Sequence, residues 1–339
     1  MSPKVLFICG SRNHTTQMHA ISRALPEVDA WFTPYYVDGY LRLLRWLRLI
    51  EITVAGYQHT RRCLDYLAEN RLRVDYAGAQ GDYDLVLTPC DLIMPRNLHD
   101  VPVVHVQEGM MDPLNRWSWL WRRLPFLPRW PGSTALTGLS GRYDRFCVAS
   151  EGFRRQYVAR GVPAERMVVT GIPNFDDCER YRQNRFPGHG YVLVCTSDIR
   201  ETYEHDDRRG FLRWCREIAA GRQLVFKLHP NEKVARAVRE IQEECPGAAV
   251  FTTGSAEEMT ANSAALIVQR SSVALVGLAL GKEVHSSYFD VEELRRLLPI
   301  QNGATSAGAI AEVCRSVMRG EGLRPELRER KRRLLPAAV

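Results

Sequence analysis

Short, nearly unbroken apolar runs recur along the chain at residues 4–9, 83–88, 102–106, 144–149 and 166–170. After a break they resume at 191–196, 223–228, 248–252, 264–269 and 283–288. Continuous rather than alternating apolar runs of this length predict strands buried on both faces. Residues 206–220 and 232–244 between them carry helical spacing and good helix formers. Strand–helix alternation predicts an α/β chain whose parallel sheets are covered by helices on both sides. The break at 174–190 follows Pro173 and contains Pro187, Gly188 and Gly190, the composition of a linker. The expected organisation is therefore two doubly wound, Rossmann-like domains facing a cleft, 1–175 and 176–322, with a basic tail at 323–339. In such sheets ligands bind at the carboxyl ends of strands, so the loops after strands are where chemistry is expected.

Composition narrows the classes. A length of 339 residues suits two domains, and 45% hydrophobic with 25% charged residues suits packed cores. Nine dispersed cysteines with no CxxC pair read as reduced thiols of a cytoplasmic protein, not as a disulfide framework or zinc site. The chain enters a strand almost at once, so no secretory leader is expected, and no long apolar run predicts a membrane span. The net charge of +7 favours anionic partners. No RRM, KH or helix-turn-helix signature accompanies it, so nucleic acid is not expected, and the Arg-rich residues 324–333 read as a solvated helix.

Five post-strand loops hold the candidate chemistry. Gly10-Ser11-Arg12-Asn13-His14-Thr15-Thr16 is small and polar before a helix, so its amides, beside Ser11 and Asn13, could hold an anion; an ordinary turn is the alternative. His105-Val106-Gln107-Glu108-Gly109 places a carboxylate at a strand end, where Glu108 could act as a general base or simply favour a helix N-terminus. In Lys227-Leu228-His229-Pro230, Pro230 starts a helix and aims His229 at the cleft, to stabilise a departing phosphate or to sit as a satisfied core histidine. Arg270-Ser271-Ser272 offers two hydroxyls at a helix start, a phosphate cradle or plain capping. Thr170-Gly171-Ile172-Pro173 allows close backbone approach or a simple interdomain turn.

The order acid-Gly, His-Pro, Ser-Ser resembles the bacterial GT-B sialyltransferases and Kdo transferases. That resemblance implies a GT-B glycosyltransferase with Glu108 as base, His229 as phosphate ligand or leaving-group acid, and Ser271 and Ser272 on the phosphate of a CMP-linked sugar. Gln107 stands where that family often has a first acidic residue. The same His105–Gly109 segment and Gly281-Lys282-Glu283-Val284 resemble the UDP-GlcNAc 2-epimerases. Here the epimerase Glu falls on Gln107, the His of its Thr-x-His-Arg segment on Asp198 (leaving Thr196, Ser197 and Arg200 as donor-binding candidates), and its ribose-binding Glu pair on Leu275 and Val276. Glu257 and Glu258, near a helix start, are then candidates for the ribose, with a solvated helix N-terminus as the alternative.

Two basic stretches are rich in apolar or aromatic residues. In 40–50, Leu43, Leu44, Leu47 and Ile50 share one helical face and Arg42, Arg45 and Arg48 another; 114–130 holds Trp117, Trp119, Trp121 and Trp130 with Arg116, Arg122, Arg123 and Arg129. Trp with Arg suits an anionic bilayer interface or a glycan acceptor site. Trp117, Trp119, Trp121 and Arg122 are the acceptor or membrane candidates. The resulting expectation is a glycosyltransferase requiring no cofactor or metal, acting from an activated sugar donor on a glycan or lipid-linked acceptor, cytoplasmic or peripheral on the inner membrane face. A phosphoribosyl pyrophosphate transferase, a UDP-sugar epimerase relative and a non-catalytic sugar-nucleotide binder are the alternatives.

Overall fold

The computed structural model describes residues 2–51, 53–114, 129, 134–202 and 205–334. The chain forms two compact units, Met1–Asp176 with Asn302–Val339, and Asp177–Gln301.

The first unit is built on six parallel strands, β1 (Lys4–Cys9), β2 (Asp29–Pro34), β3 (Leu85–Thr88), β4 (Val103–Val106), β5 (Arg145–Val148) and β6 (Met167–Val169), in the order β2-β1-β3-β4-β5-β6. β3 and β4 are buried throughout, which is why they read as unbroken apolar runs. The sequence pattern did not reveal β2. It is an edge strand, half-exposed over Asp29–Trp31 and ending in Pro34, a residue that sheets accept at edges. The inner end of β2 is nonetheless anchored, with Phe32 stacked on Phe7 at 5.1 Å. The chain leaves β1 for β2 on one side and β3 on the other. The switch point of this sheet is therefore the crevice beyond the carboxyl ends of β1 and β3.

The helix Ser306–Met318 also belongs to the first unit, with Ile310, Ala311, Cys314 and Val317 buried. The Ser306 N–H donates to Asp176 Oδ2 at 3.0 Å. Gly171 has φ +73°, and a Cβ there would stand 2.2 Å from Ser306 Oγ, so glycine is required for both backbone and space. The sequence pattern alone places residues up to 322 in the second domain. An apolar helical stripe does not say which of two similar sheets it covers, and here the chain returns to the first.

The second unit carries β7 (Val192–Cys195), β8 (Leu224–Lys227), β9 (Ala249–Phe251), β10 (Ala265–Val268) and β11 (Glu283–Ser286), all parallel, in the order β11-β10-β7-β8-β9. The helix Arg208–Ala219 starts at Asp207, whose carboxylate accepts the Gly210 N–H at 3.0 Å. Its Phe211, Leu212 and Cys215 pack with Ile241 against Val192, Val194 and Phe226. Burying a side chain such as Phe226 completely contributes about 2–3 kcal/mol. The switch point of this sheet lies between β7 and β10, so the loops after these strands flank its ligand crevice.

Candidate active site

In the first unit, Gly10 and Ser11 turn the chain from β1 into α1 (Arg12–Arg23). Ser11 Oγ accepts the His14 N–H, and His14 Nδ1 accepts the Ser11 N–H, both at 3.3 Å. This reciprocal cap holds the imidazole over position 10, where a Cβ would come within 2.4 Å of Nδ1. With Nδ1 accepting, the ring proton sits on Nε2, which lies 2.5 Å from Glu108 Oε1. Ser11 Oγ also reaches Glu108 Oε1, at 3.4 Å. The His14 side chain is inaccessible whereas that of Glu108 is 38% exposed, so one side of the carboxylate is held and the other is open to a reactant.

Glu108 takes this position because its neighbour is fixed. Gln107 is fully buried, its Oε1 accepting the Ala149 N–H at 2.9 Å and its Nε2 donating to Gly109 O at 2.7 Å. Its carbonyl accepts from Gln17 Nε2 at 3.0 Å. The residue aligned with the epimerase Glu is therefore a structural amide with its side-chain groups committed. Burial pushes the Glu108 carboxyl up, but the His14 contact, the Ser11 hydroxyl and His59 outweigh it, leaving the group below the usual Glu value. His59, on α3 (Tyr57–Glu69), is itself held below the usual histidine value by burial and by Arg62. Neither His14 nor His59 was singled out from sequence. The available signal was Ser11-x-x-His14, a capping pattern with histidine in place of the usual Glu or Gln.

In the second unit, the loops after β7, β8 and β10 are joined by buried polar contacts. Ser197 Oγ donates to Arg270 O and accepts the Arg270 N–H, both at 3.0 Å, tying together the two sides of the switch point. Thr196 Oγ1 accepts the His229 N–H at 3.2 Å and donates to Glu232 Oε2. Glu232 also accepts the His229 N–H at 3.0 Å and pairs with the buried Arg208. The result is a fixed backbone at position 229 with its imidazole 37% exposed. His229 Nδ1 accepts the Asn231 N–H at 3.3 Å and lies 3.5 Å from Asp198 Oδ2. Lys227, at the end of β8, is buried, with its ammonium donating to Leu228 O at 3.0 Å.

Several sequence candidates therefore have internal duties. Thr196 and Ser197 are buried and committed, and Arg200 is spent on a two-pronged pair with Glu240, both bonds 2.9 Å. They hold these loops in shape instead of presenting free groups. Ser271 Oγ accepts the Val273 N–H at 3.4 Å, while Ser272 precedes the helix Val273–Ala279 with no capping bond from its side chain. Both serines are half-buried. Glu257 and Glu258 sit in the first turn of the helix Ala256–Asn262, where Ser255 Oγ donates to Glu257 and accepts the Glu258 N–H. Asn13 is exposed, and its carbonyl accepts from Asn174 at 2.9 Å. Trp117, Trp119, Trp121 and Arg122 lie outside the described residues. Among the described residues, no His, Cys, Asp and Glu cluster could hold a metal ion, and no helix is long and apolar enough to cross a membrane.

The 40–50 segment departs from its expected two-faced helix. The helix α2 covers only Tyr40–Trp46, and it buries Leu41 and Arg45 while exposing Leu43 and Trp46.

No family model matches the chain, and no curated protein matches it. Solved structures do resemble it. UDP-GlcNAc 2-epimerase from Neisseria meningitidis, bound to UDP-GlcNAc, gives a TM-score of 0.55 at 14% identity, covering 94% of this chain and 100% of that one. The S. aureus MnaA–UDP co-structure gives 0.60 at 13% identity, covering 94% and 96%. The wall teichoic acid polymerase TagF gives 0.50 at 8% identity, covering 94% and 89%. At such identities the likeness concerns the fold alone: the chain has the GT-B-like architecture of two parallel, Rossmann-like sheets that these enzymes share.

Proposed function

We propose that the chain is an enzyme acting on a nucleotide-activated sugar, and that its reaction is transfer to an acceptor hydroxyl with Glu108 as general base. The observation that carries this reading is the held but exposed Glu108 carboxylate, paired with the buried His14 at a strand end. The carboxylate takes the acceptor proton as the oxygen attacks the anomeric carbon, and the bond from that carbon to the donor phosphate breaks. The phosphate leaves with the electron pair. His229, with Ser271 and Ser272, supplies donors for it in the second unit. The neighbours whose names carry UDP or UDP-GlcNAc make UDP the first nucleotide to test, ahead of the CMP donor of the Kdo- and sialic-acid-type resemblance.

A second reading, a sugar-nucleotide epimerase relative, is favoured by the full-length likeness to UDP-GlcNAc 2-epimerases. Against that chemistry by the same residues stand the locked Gln107, Asp198 in place of a histidine, and the buried apolar Leu275 and Val276. Thermal-shift titration with UDP, CMP and phosphoribosyl pyrophosphate, followed by incubation with UDP-GlcNAc alone, separates the readings. Stabilisation by UDP that is lost in His229→Ala, with UDP-GlcNAc unchanged until an acceptor is added, is the expected result. Inversion of the sugar without acceptor would transfer the assignment to the epimerase. Stabilisation by CMP or phosphoribosyl pyrophosphate instead would replace the donor, and no response to any of the three would remove the nucleotide-sugar reading.

A further inference from the structure

A second feature of the first unit is not absorbed by the Glu108 chemistry. Beside α2 lies a hollow of about 720 Å³ whose lining includes Arg42, Arg45, Arg96, Trp46, Tyr57 and Tyr76. Arg45 is the unusual member. It is only 8% exposed, while neighbouring Leu43, Trp46, Leu47 and Leu49 are 56%, 70%, 48% and 65% exposed. A helix that turns Arg45 inward beside Leu41 and leaves Leu43 and Trp46 outward departs from the ordinary partition, and such local departures concentrate at functional sites.

The partners of Arg45 sharpen the point. Its guanidinium donates to Tyr76 Oη at 3.1 Å and Thr60 Oγ1 at 2.8 Å, and it lies over the Tyr57 ring at 4.8 Å. These are neutral groups, and the buried Nε has no hydrogen-bond partner among the described residues. A desolvated cation held by hydroxyls and a ring face keeps most of its charge for an incoming anion. Arg42 and Arg96 add two exposed guanidinium groups on the same hollow. The lining contains one carboxylate, Asp38, whose Oδ2 accepts the Arg96 N–H at 2.6 Å. Cation outnumbers anion by three to one. Aromatic faces beside the arginines suit a sugar ring, and planar guanidinium forks suit phosphate oxygens. The helix α3 carries Tyr57 at the hollow and Thr60 against Arg45.

We propose that this hollow is the acceptor subsite and that it takes a sugar carrying a phosphate ester, the phosphate on Arg42, Arg45 and Arg96 and the ring against the aromatic side chains. The word acceptor rests on the transferase reading; the binding does not. Soluble sugar phosphates and lipid-linked ones present the same chemistry.

The test is calorimetric titration of the full chain, saturated with UDP, with N-acetylglucosamine 1-phosphate and with N-acetylglucosamine. The phosphate is expected to bind at least about tenfold more tightly than the neutral sugar, the scale of one charge-assisted contact. Binding is expected to weaken about tenfold or more in the exposed double variant Arg42→Ala/Arg96→Ala, which leaves the fold untouched, and in Arg45→Gln, with Arg45→Lys between. His229→Ala is expected to leave it unchanged, which separates this hollow from the donor phosphate contacts. Co-sedimentation with phosphatidylcholine vesicles containing polyprenyl-phosphate-linked N-acetylglucosamine identifies a lipid source; binding of the soluble ester alone identifies a soluble one. Equal binding of neutral and phosphorylated sugar, or full affinity in the double variant, overturns the proposal. If the sugar phosphate binds as described but no transfer occurs with any donor, the transferase reading fails and the binding site stands.

Discussion

Glu232→Gln removes one charge from a buried pair while conserving shape. In the native unit, Glu232 meets Arg208 with one oxygen and the His229 N–H and Thr196 hydroxyl with the other. Both partners of the ion pair are almost inaccessible, with side-chain exposures of 3% and 1%. Breaking a buried pair costs about 3–5 kcal/mol, chiefly because the remaining charge is stranded. Here the lower end is expected, about 3 kcal/mol, because Arg208 Nε keeps Glu240 at 3.9 Å and another nitrogen keeps Gln269 at 3.2 Å. Urea unfolding followed by far-ultraviolet circular dichroism measures it, as a midpoint lowered by about 1–2 M. The paired replacement Glu232→Leu/Arg208→Met is expected to recover most of the loss, since no charge is then stranded. A single variant losing under about 1 kcal/mol, or a double variant no better than the single, would refute the reasoning.

Other outcomes follow from particular contacts. Gly171→Ala is expected to cost about 2 kcal/mol or more in the same assay, because it combines a left-handed backbone with a clash on Ser306. Because the Glu108 carboxyl lies below its ordinary value in the folded state, its contribution to stability is present above the usual carboxylate range and is lost as pH falls through the folded value. The acid limb of kcat/KM is expected below that range for the same reason, and His14→Gln is expected to move it to higher pH; an unmoved limb would separate His14 from the base.

The fold was legible where burial writes itself into the sequence. β3, β4, β8 and β10 are buried throughout, and their apolar runs located them to within a residue or two. β2 was invisible because an edge strand needs no continuous apolar run, and the helix Ser306–Met318 could not be assigned to a sheet from its own stripe. Placement was legible at Glu108 and His229, single polar residues just after strand ends. It was illegible at His14 and Arg45. His14 depends on α1 meeting the loop after β4, and Arg45 on a helix that turns against its own pattern. Thr196, Ser197 and Arg200 show the converse: polar residues at strand ends whose side chains hold loops in place.

The central claim is that Glu108 performs proton transfer and does not merely hold the loop. Glu108→Gln keeps the volume and an oxygen for His14 and removes only the basicity. The direct measurement is single-turnover transfer from a UDP-sugar by this variant, alongside donor affinity by titration. The account predicts that transfer falls by about 10²–10⁴-fold while donor affinity stays within about twofold. Transfer at the native rate, or a loss explained entirely by weaker donor binding, would contradict it.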